Sequence, residues 1–123
     1  MPKKILLIDD EQVITKVLTS RFRSNGYEIL VASDGQEGLA KARSENPHLI
    51  ILDMMLPKLD GYRVCSLLKL DDNYKHIPIL MLTARVQAQD QEKGIRAGAD
   101  AYMTKPFEPE ALLDKVRELL KEA

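Results

Sequence analysis

Five short apolar runs, each followed by a stretch of helical periodicity, restrict this chain to very few architectures. The runs are Ile5–Ile8, Ile29–Val31, Leu49–Leu52, Ile79–Leu82 and the weaker Ala101–Met103. Three of them are continuous rather than alternating, as strands covered on both faces are, which implies a parallel sheet. A first helix is expected from about Glu11 to Ser24, with Val13, Val17, Leu18 and Phe22 at helical spacing and Asn25-Gly26 as its stop. A second spans about Gln36 to Glu45 ahead of Pro47, and a third starts after Asp60-Gly61 and fades near Asp71-Asp72. A fourth covers about Ala88 to Ala97 and closes at Gly98. The last begins near Pro109, a residue suited to a first turn, and carries Leu112, Leu113, Val116, Leu119 and Leu120. A strand–helix–strand crossover between parallel neighbours is right-handed. Five βα units therefore make a doubly wound α/β sheet, order 2-1-3-4-5, with helices on both faces.

Length and charge narrow the chemistry. With 123 residues, the expectation is a single domain over 1–123 with no output domain in the chain. Formal net charge is −1, so no global field draws the protein to nucleic acid or to an anionic membrane. Cys65 is the only cysteine, which excludes an intrachain disulfide, and its half-apolar helical setting reads as a small buried hydrophobe. His48 and His76 stand far apart with no Cys or His nearby, so they read as solvated rather than as zinc ligands. The apolar run after Lys3 and Lys4 is too short for a signal peptide, and none approaches a membrane span. A cytoplasmic protein is expected.

In an open parallel sheet the crevice lies at the carboxyl ends of the strands. There the expected strands deliver Asp9, Asp10 and Glu11, then Asp53, then Thr83 and Ala84, then Lys105 and Pro106. Each has an ordinary explanation by itself. Asp9 or Asp10 could cap the first helix, Thr83 the fourth, and Lys105 could be a solvated surface lysine. The sheet, however, brings them all to one edge. Three carboxylates at ~5 Å and an effective dielectric near 20 repel by roughly 3 kcal/mol per pair, more than one lysine offsets. Either a carboxylate stays protonated or a hard cation binds, and an oxygen-rich site with few protein ligands suits Mg²⁺. Asp53 could then attack a phosphoryl group, with Mg²⁺, Lys105 and Thr83 neutralising the three equatorial oxygens.

The segments LLIDDE, LIILDMMLPKLDG, ILMLTA and DAYMTKPF resemble the signature blocks of receiver domains of two-component response regulators, and the resemblance covers essentially the whole chain. The spacing of Asp53, Thr83 and Lys105 matches as well. What the resemblance implies is a flavodoxin-like fold and a phosphorylation-dependent switch. It makes Asp53 the phosphoacceptor, supplied by a phosphohistidine on a sensor histidine kinase or phosphotransfer protein. Asp10, Asp53 and the Met55 backbone carbonyl would ligate Mg²⁺, with Asp9 acting through water. Lys105 would pair with the phosphoryl group, and Lys105–Pro106 would be a cis peptide. Thr83 would move toward the phosphoryl oxygen on activation, with Tyr102 swinging inward behind it. A bland alternative leaves Tyr102 as an edge-strand aromatic with a wet hydroxyl.

The output partner is unnamed by these residues, and direct nucleic-acid contact from this domain is not expected. Receivers of winged-helix DNA-binding regulators often carry Met and Arg where Met55 and Arg85 stand. They also tend to have a second acid and a basic residue where Ala101 and Gln91 stand, a departure that weighs against their usual phosphorylation-linked dimer. Two other classes share parts of the pattern. A haloacid dehalogenase-type phosphatase needs a second acid two residues after its nucleophile, where this chain has Met55. A flavodoxin-like flavin carrier needs a phosphate-cradling loop where Asp9-Asp10-Glu11 stands.

Overall fold

The computed structural model describes residues 2–83 and 97–121. Five strands, β1 (Lys4–Ile8), β2 (Glu28–Ala32), β3 (Leu49–Asp53), β4 (Ile79–Thr83) and β5 (Ala101–Thr104), form one sheet in the order β2-β1-β3-β4-β5. All pairings are parallel, with Ile8 opposite Leu52, Asp53 opposite Leu82 and Thr83 opposite Thr104. The helices among the described residues are α1 (Gln12–Ser24), α2 (Gly35–Glu45), α3 (Gly61–Lys69) and α4 (Pro109–Leu119). The helix expected over Ala88 to Ala97, together with Arg85 and Gln91, falls almost wholly outside the described residues. Among the described residues no helix is long and apolar enough to cross a membrane.

Strand side chains alternate between two separate cores, which explains why the apolar runs are continuous. Leu6, Ile8, Ile50, Leu52, Ile79 and Met81 pack with Val64, Cys65 and Leu68 of α3. Their neighbours Ile5, Leu7, Leu49, Ile51, Leu80 and Leu82 pack on the other face with Leu18 and Phe22 of α1 and Leu112, Leu113 and Val116 of α4. Each fully buried aliphatic side chain contributes about 1.5–3 kcal/mol, so two such layers hold the strands firmly.

Local punctuation follows ordinary rules. Gly26 after α1 has φ +86°, the left-handed conformation that glycine adopts freely. Asp34 and Asp60 cap α2 and α3, accepting from the N–H groups of Glu37 and Arg63. Pro109 occupies the first turn of α4. The face of α1 differs from expectation. Val13 is 76% and Val17 50% exposed, whereas Thr15, Leu18 and Phe22 face the sheet.

Where α3 begins, the backbone passes unusually close to β3. A Cβ on Gly61 would lie 2.2 Å from the Asp53 carbonyl oxygen and 2.9 Å from Met54 Cα, while the Gly61 N–H donates to the Met54 carbonyl at 3.0 Å. Backbone atoms of a central strand have nowhere to retreat. Gly61→Ala is therefore expected to destabilise the fold by about 1–3 kcal/mol. Urea denaturation checks this, and an unchanged midpoint would show that the α3 start can shift to make room.

Candidate functional site

Because every strand runs the same way, the residues that close β1, β3, β4 and β5 gather on one edge. Asp9 and Asp10 follow Ile8, Asp53 ends β3, Thr83 ends β4 and Lys105 follows β5. Asp9, Asp53 and Thr83 are buried, while Asp10 and Glu11 face solvent. One carboxylate oxygen from each of Asp9, Asp10 and Asp53 lies within 4.8 Å of the other two.

Lys105 sits at the centre of this edge. Its Nζ donates to Asp9 Oδ2 at 3.0 Å, Glu11 Oε1 at 3.0 Å and Asp53 Oδ2 at 3.2 Å. An ammonium has three N–H donors, so these contacts engage all of them. The lysine side chain is only 12% exposed, so it is not the solvated surface group that its residue type suggests in isolation. Its backbone N–H donates to the Thr83 carbonyl at 2.7 Å, and the Lys105–Pro106 bond is cis. The remaining oxygens of the two buried aspartates are also bonded. Asp9 Oδ1 accepts from the Glu11 N–H at 2.9 Å, and Asp53 Oδ1 accepts from the Met55 N–H at 3.2 Å.

Burial pushes the Asp53 carboxyl above its ordinary range. The Met55 N–H and the Lys105 charge oppose that shift, and the Asp9 charge adds to it. Burial by itself would lower the Lys105 value, but hydrogen bonds to Asp9 and Glu11 and the charges of Asp53 and Asp9 outweigh it and hold the ammonium above its ordinary value. The nucleophile candidate is thus strained toward neutrality while its partner stays firmly charged.

Three oxygen donors around one point, two buried and one open to solvent, suit a hard cation that keeps part of its water shell. The donor set contains no sulfur or imidazole that would favour a softer metal.

Other candidate residues take these places. Neither Asp9 nor Asp10 caps α1; Glu11 is the N-cap residue, and no side chain bonds there. The Met55 side chain is 76% exposed beside the crevice. Tyr102, on edge strand β5, is half-buried against the core that contains Met81, and burial raises its phenol. Cys65 is buried with its thiol donating to the Ala97 carbonyl at 3.4 Å, and burial pushes its pKa up to about 12, so it is inert packing. His48 is exposed and accepts the Lys4 N–H at 2.9 Å; His76 is exposed. Glu11 is the site residue to which sequence reasoning gave no role. Its place directly after Asp9-Asp10 was the available signal, but nothing in a sequence says which way an exposed glutamate folds back.

The chain matches the family model for the response regulator receiver domain over residues 5–117. It is 47% identical to the alkaline phosphatase synthesis transcriptional regulatory protein PhoP of Bacillus subtilis over 98% of this chain and 50% of that protein. The chain thus spans about half the length of the curated relatives it matches. Its structure resembles the chemotaxis response regulator CheY4 of Vibrio cholerae, with a TM-score of 0.91 at 33% identity, covering 97% of this chain and 99% of that one. The receiver domain of the sensor histidine kinase PA1611 of Pseudomonas aeruginosa, solved with a magnesium ion coordinated in its active site cleft, gives 0.91 at 30% identity over 99% and 100%.

The raised Asp53 carboxyl has a stability signature. Folded Asp53 holds its proton to higher pH than the unfolded chain does, so in that window the folded state binds more protons and stability falls as pH rises. With a chelator present, wild type should lose stability relative to Asp53→Asn as pH climbs from its ordinary value of 3.8. At neutral pH the variant should be the more stable by on the order of 1 kcal/mol. Thermal unfolding of both proteins across this range checks it; parallel curves would show that burial does not govern the Asp53 charge.

Proposed function

Because this chain belongs to the response regulator receiver domain family, we propose that it is a signalling switch that accepts a phosphoryl group on Asp53 from a phosphohistidine of a sensor histidine kinase or phosphotransfer protein. The observation that carries this reading is the meeting of the buried Asp53 carboxylate with the Lys105 ammonium at 3.2 Å in a crevice lined by further carboxylates. The phosphatase and flavin-carrier readings are left without support by the family match, and the position a phosphatase would give its second acid holds the exposed Met55.

Mg²⁺ is the cation of this reading; Asp10, Asp53 and the Met55 backbone carbonyl would hold it directly, with Asp9 acting through water. When bound it offsets the repulsion among the carboxylates and the charge of the phosphoryl oxygens. One Asp53 oxygen forms the new bond to phosphorus as the donor's P–N bond breaks. The imidazole takes that electron pair and leaves as the neutral ring, because its other nitrogen is protonated before the P–N bond breaks. Lys105 supplies positive charge to one phosphoryl oxygen and the Thr83 hydroxyl bonds another, with Tyr102 turning inward behind it.

A protein donor must bring its phosphohistidine in line with Asp53, so its surface comes down on the rim of the crevice. That rim is apolar. Val13, Ile14, Val17, Pro106 and Phe107 border a shallow cavity of about 200 Å³ beside Lys105. Val13 and Val17 are exposed, with Ile14 and Phe107 half-buried behind them, and an apolar surface of this kind next to a charged crevice suits a partner that binds through a helix surface. Control of transcription as the output is supported by the name of the B. subtilis relative.

Incubation with acetyl phosphate and Mg²⁺ should add one phosphoryl group, and Asp53→Ala should abolish the labelling. Asp10→Ala should lose both Mg²⁺ binding and phosphorylation. Labelling that survives Asp53→Ala would move the chemistry elsewhere.

Lifetime of the phosphorylated state gives a separate expectation. Met55 has no group that usefully orients water, and Arg85, two residues past Thr83, has no basic lone pair. Neither acts as a general base, so phosphoryl loss is slow. Met55→Asn/Arg85→Glu should speed it several-fold, measured by the decay of labelled protein; an equal or slower rate would discard this account.

A further inference from the structure

Resting on the reading of Asp53 as phosphoacceptor, we infer that Glu11 is a built-in competitor for Lys105, the one partner that must let go before a phosphoryl oxygen can take its place. The stoichiometry of the ammonium forces an exchange. Lys105 has three N–H donors, and Asp9, Glu11 and Asp53 occupy them at 3.0, 3.0 and 3.2 Å. A phosphoryl oxygen that binds Lys105 has to displace one of the three.

Burial decides which one leaves. The Asp9 side chain is 0% exposed and tied by the Glu11 N–H, and Asp53 is 7% exposed and is itself the acceptor. The Glu11 side chain is 55% exposed. Releasing it trades an exposed ion pair for water, the weakest kind of ionic contact in a protein. The freed carboxylate also stays at the N-terminal end of α1, where no other side chain caps the helix and its dipole favours negative charge. Glu11 is thus a positioning residue. It keeps the lysine aimed into the crevice in the resting state, and it sets a threshold that an incoming phosphoryl group must exceed. Its negative charge at the mouth also opposes small dianionic donors, an effect that salt screens.

The test compares wild type, Glu11→Gln and Glu11→Asp at saturating Mg²⁺. The two readouts are the affinity for beryllofluoride, a phosphoryl mimic, and the rate of phosphorylation by acetyl phosphate. Glu11→Gln should improve both by roughly two- to five-fold, the factor that loss of one exposed ion pair allows. The gain should shrink as salt is raised, and Glu11→Asp should resemble wild type. A third readout is independent of phosphorylation: a double-mutant cycle of Glu11→Gln with Lys105→Met in chelator should show coupling between the two side chains. Equal or weaker beryllofluoride binding by Glu11→Gln, or absence of coupling, would overturn the competition. Failure of wild type itself to bind beryllofluoride or accept phosphoryl would instead overturn the underlying reading of Asp53, whatever Glu11 does.

Discussion

A single ammonium keeps the working edge of this protein from pushing itself apart. Asp9, Asp10, Glu11 and Asp53 crowd the carboxyl ends of two adjacent strands, and Lys105 bonds three of them. Every other feature of the crevice is arranged around that contact. The Lys105 backbone is fixed to the end of β4 through the Thr83 carbonyl, and the two buried aspartates spend their second oxygens on backbone N–H groups. The result is a cluster in which the buried polar atoms are partnered but the charge is not balanced. Excess negative charge in a crevice open to solvent on one side is a standing attraction for a cation.

Such a cluster needs a rigid support, and the sheet provides it without any special device. The strands that carry Asp9, Asp53 and Thr83 are central, covered on both faces and almost wholly excluded from water. Gly61 lets α3 start against the Asp53 carbonyl, so the loop after Asp53 is short of room to wander. The stability surrendered by gathering like charges is supplied by the two aliphatic layers on the faces of the sheet. This division of labour separates the part of the molecule that responds from the part that holds.

How much of this was legible in the sequence follows from which interactions are set by pattern. Continuous apolar runs with helical segments between them specify a parallel sheet, and strand direction then assigns Asp9, Asp10, Asp53, Thr83 and Lys105 to one edge before any side chain is placed. Glycine and proline at Gly26 and Pro109 read correctly because backbone geometry alone selects them. Glu11 did not read, because its role depends on a long side chain turning back toward an ammonium that is distant in sequence. The capping roles open to Asp9 and Asp10 did not materialise, because Asp9 accepts the N–H of the cap residue itself instead of one inside the helix.

The exposed valines of α1 mark where local rule and function part. Helical spacing placed Val13 and Val17 with Leu18 and Phe22 on one apolar face, but the helix turns only Leu18 and Phe22 inward. The position of Thr15 among the buried residues shows that the inward stripe is rotated relative to the apolar stripe. The surplus apolar surface therefore projects past the edge of the core toward Pro106 and Phe107, beside the Lys105 crevice. An apolar rim has no stabilising use to an isolated domain, since its burial is gained only against another molecule. On the proposed reading, a donor that aligns a phosphohistidine with Asp53 gains from such a rim, because electrostatics at an acid-lined crevice repel the phosphoryl group it carries. Contact energy from Val13 and Val17, remote from the reacting atoms, can offset that repulsion while Lys105 supplies the local attraction.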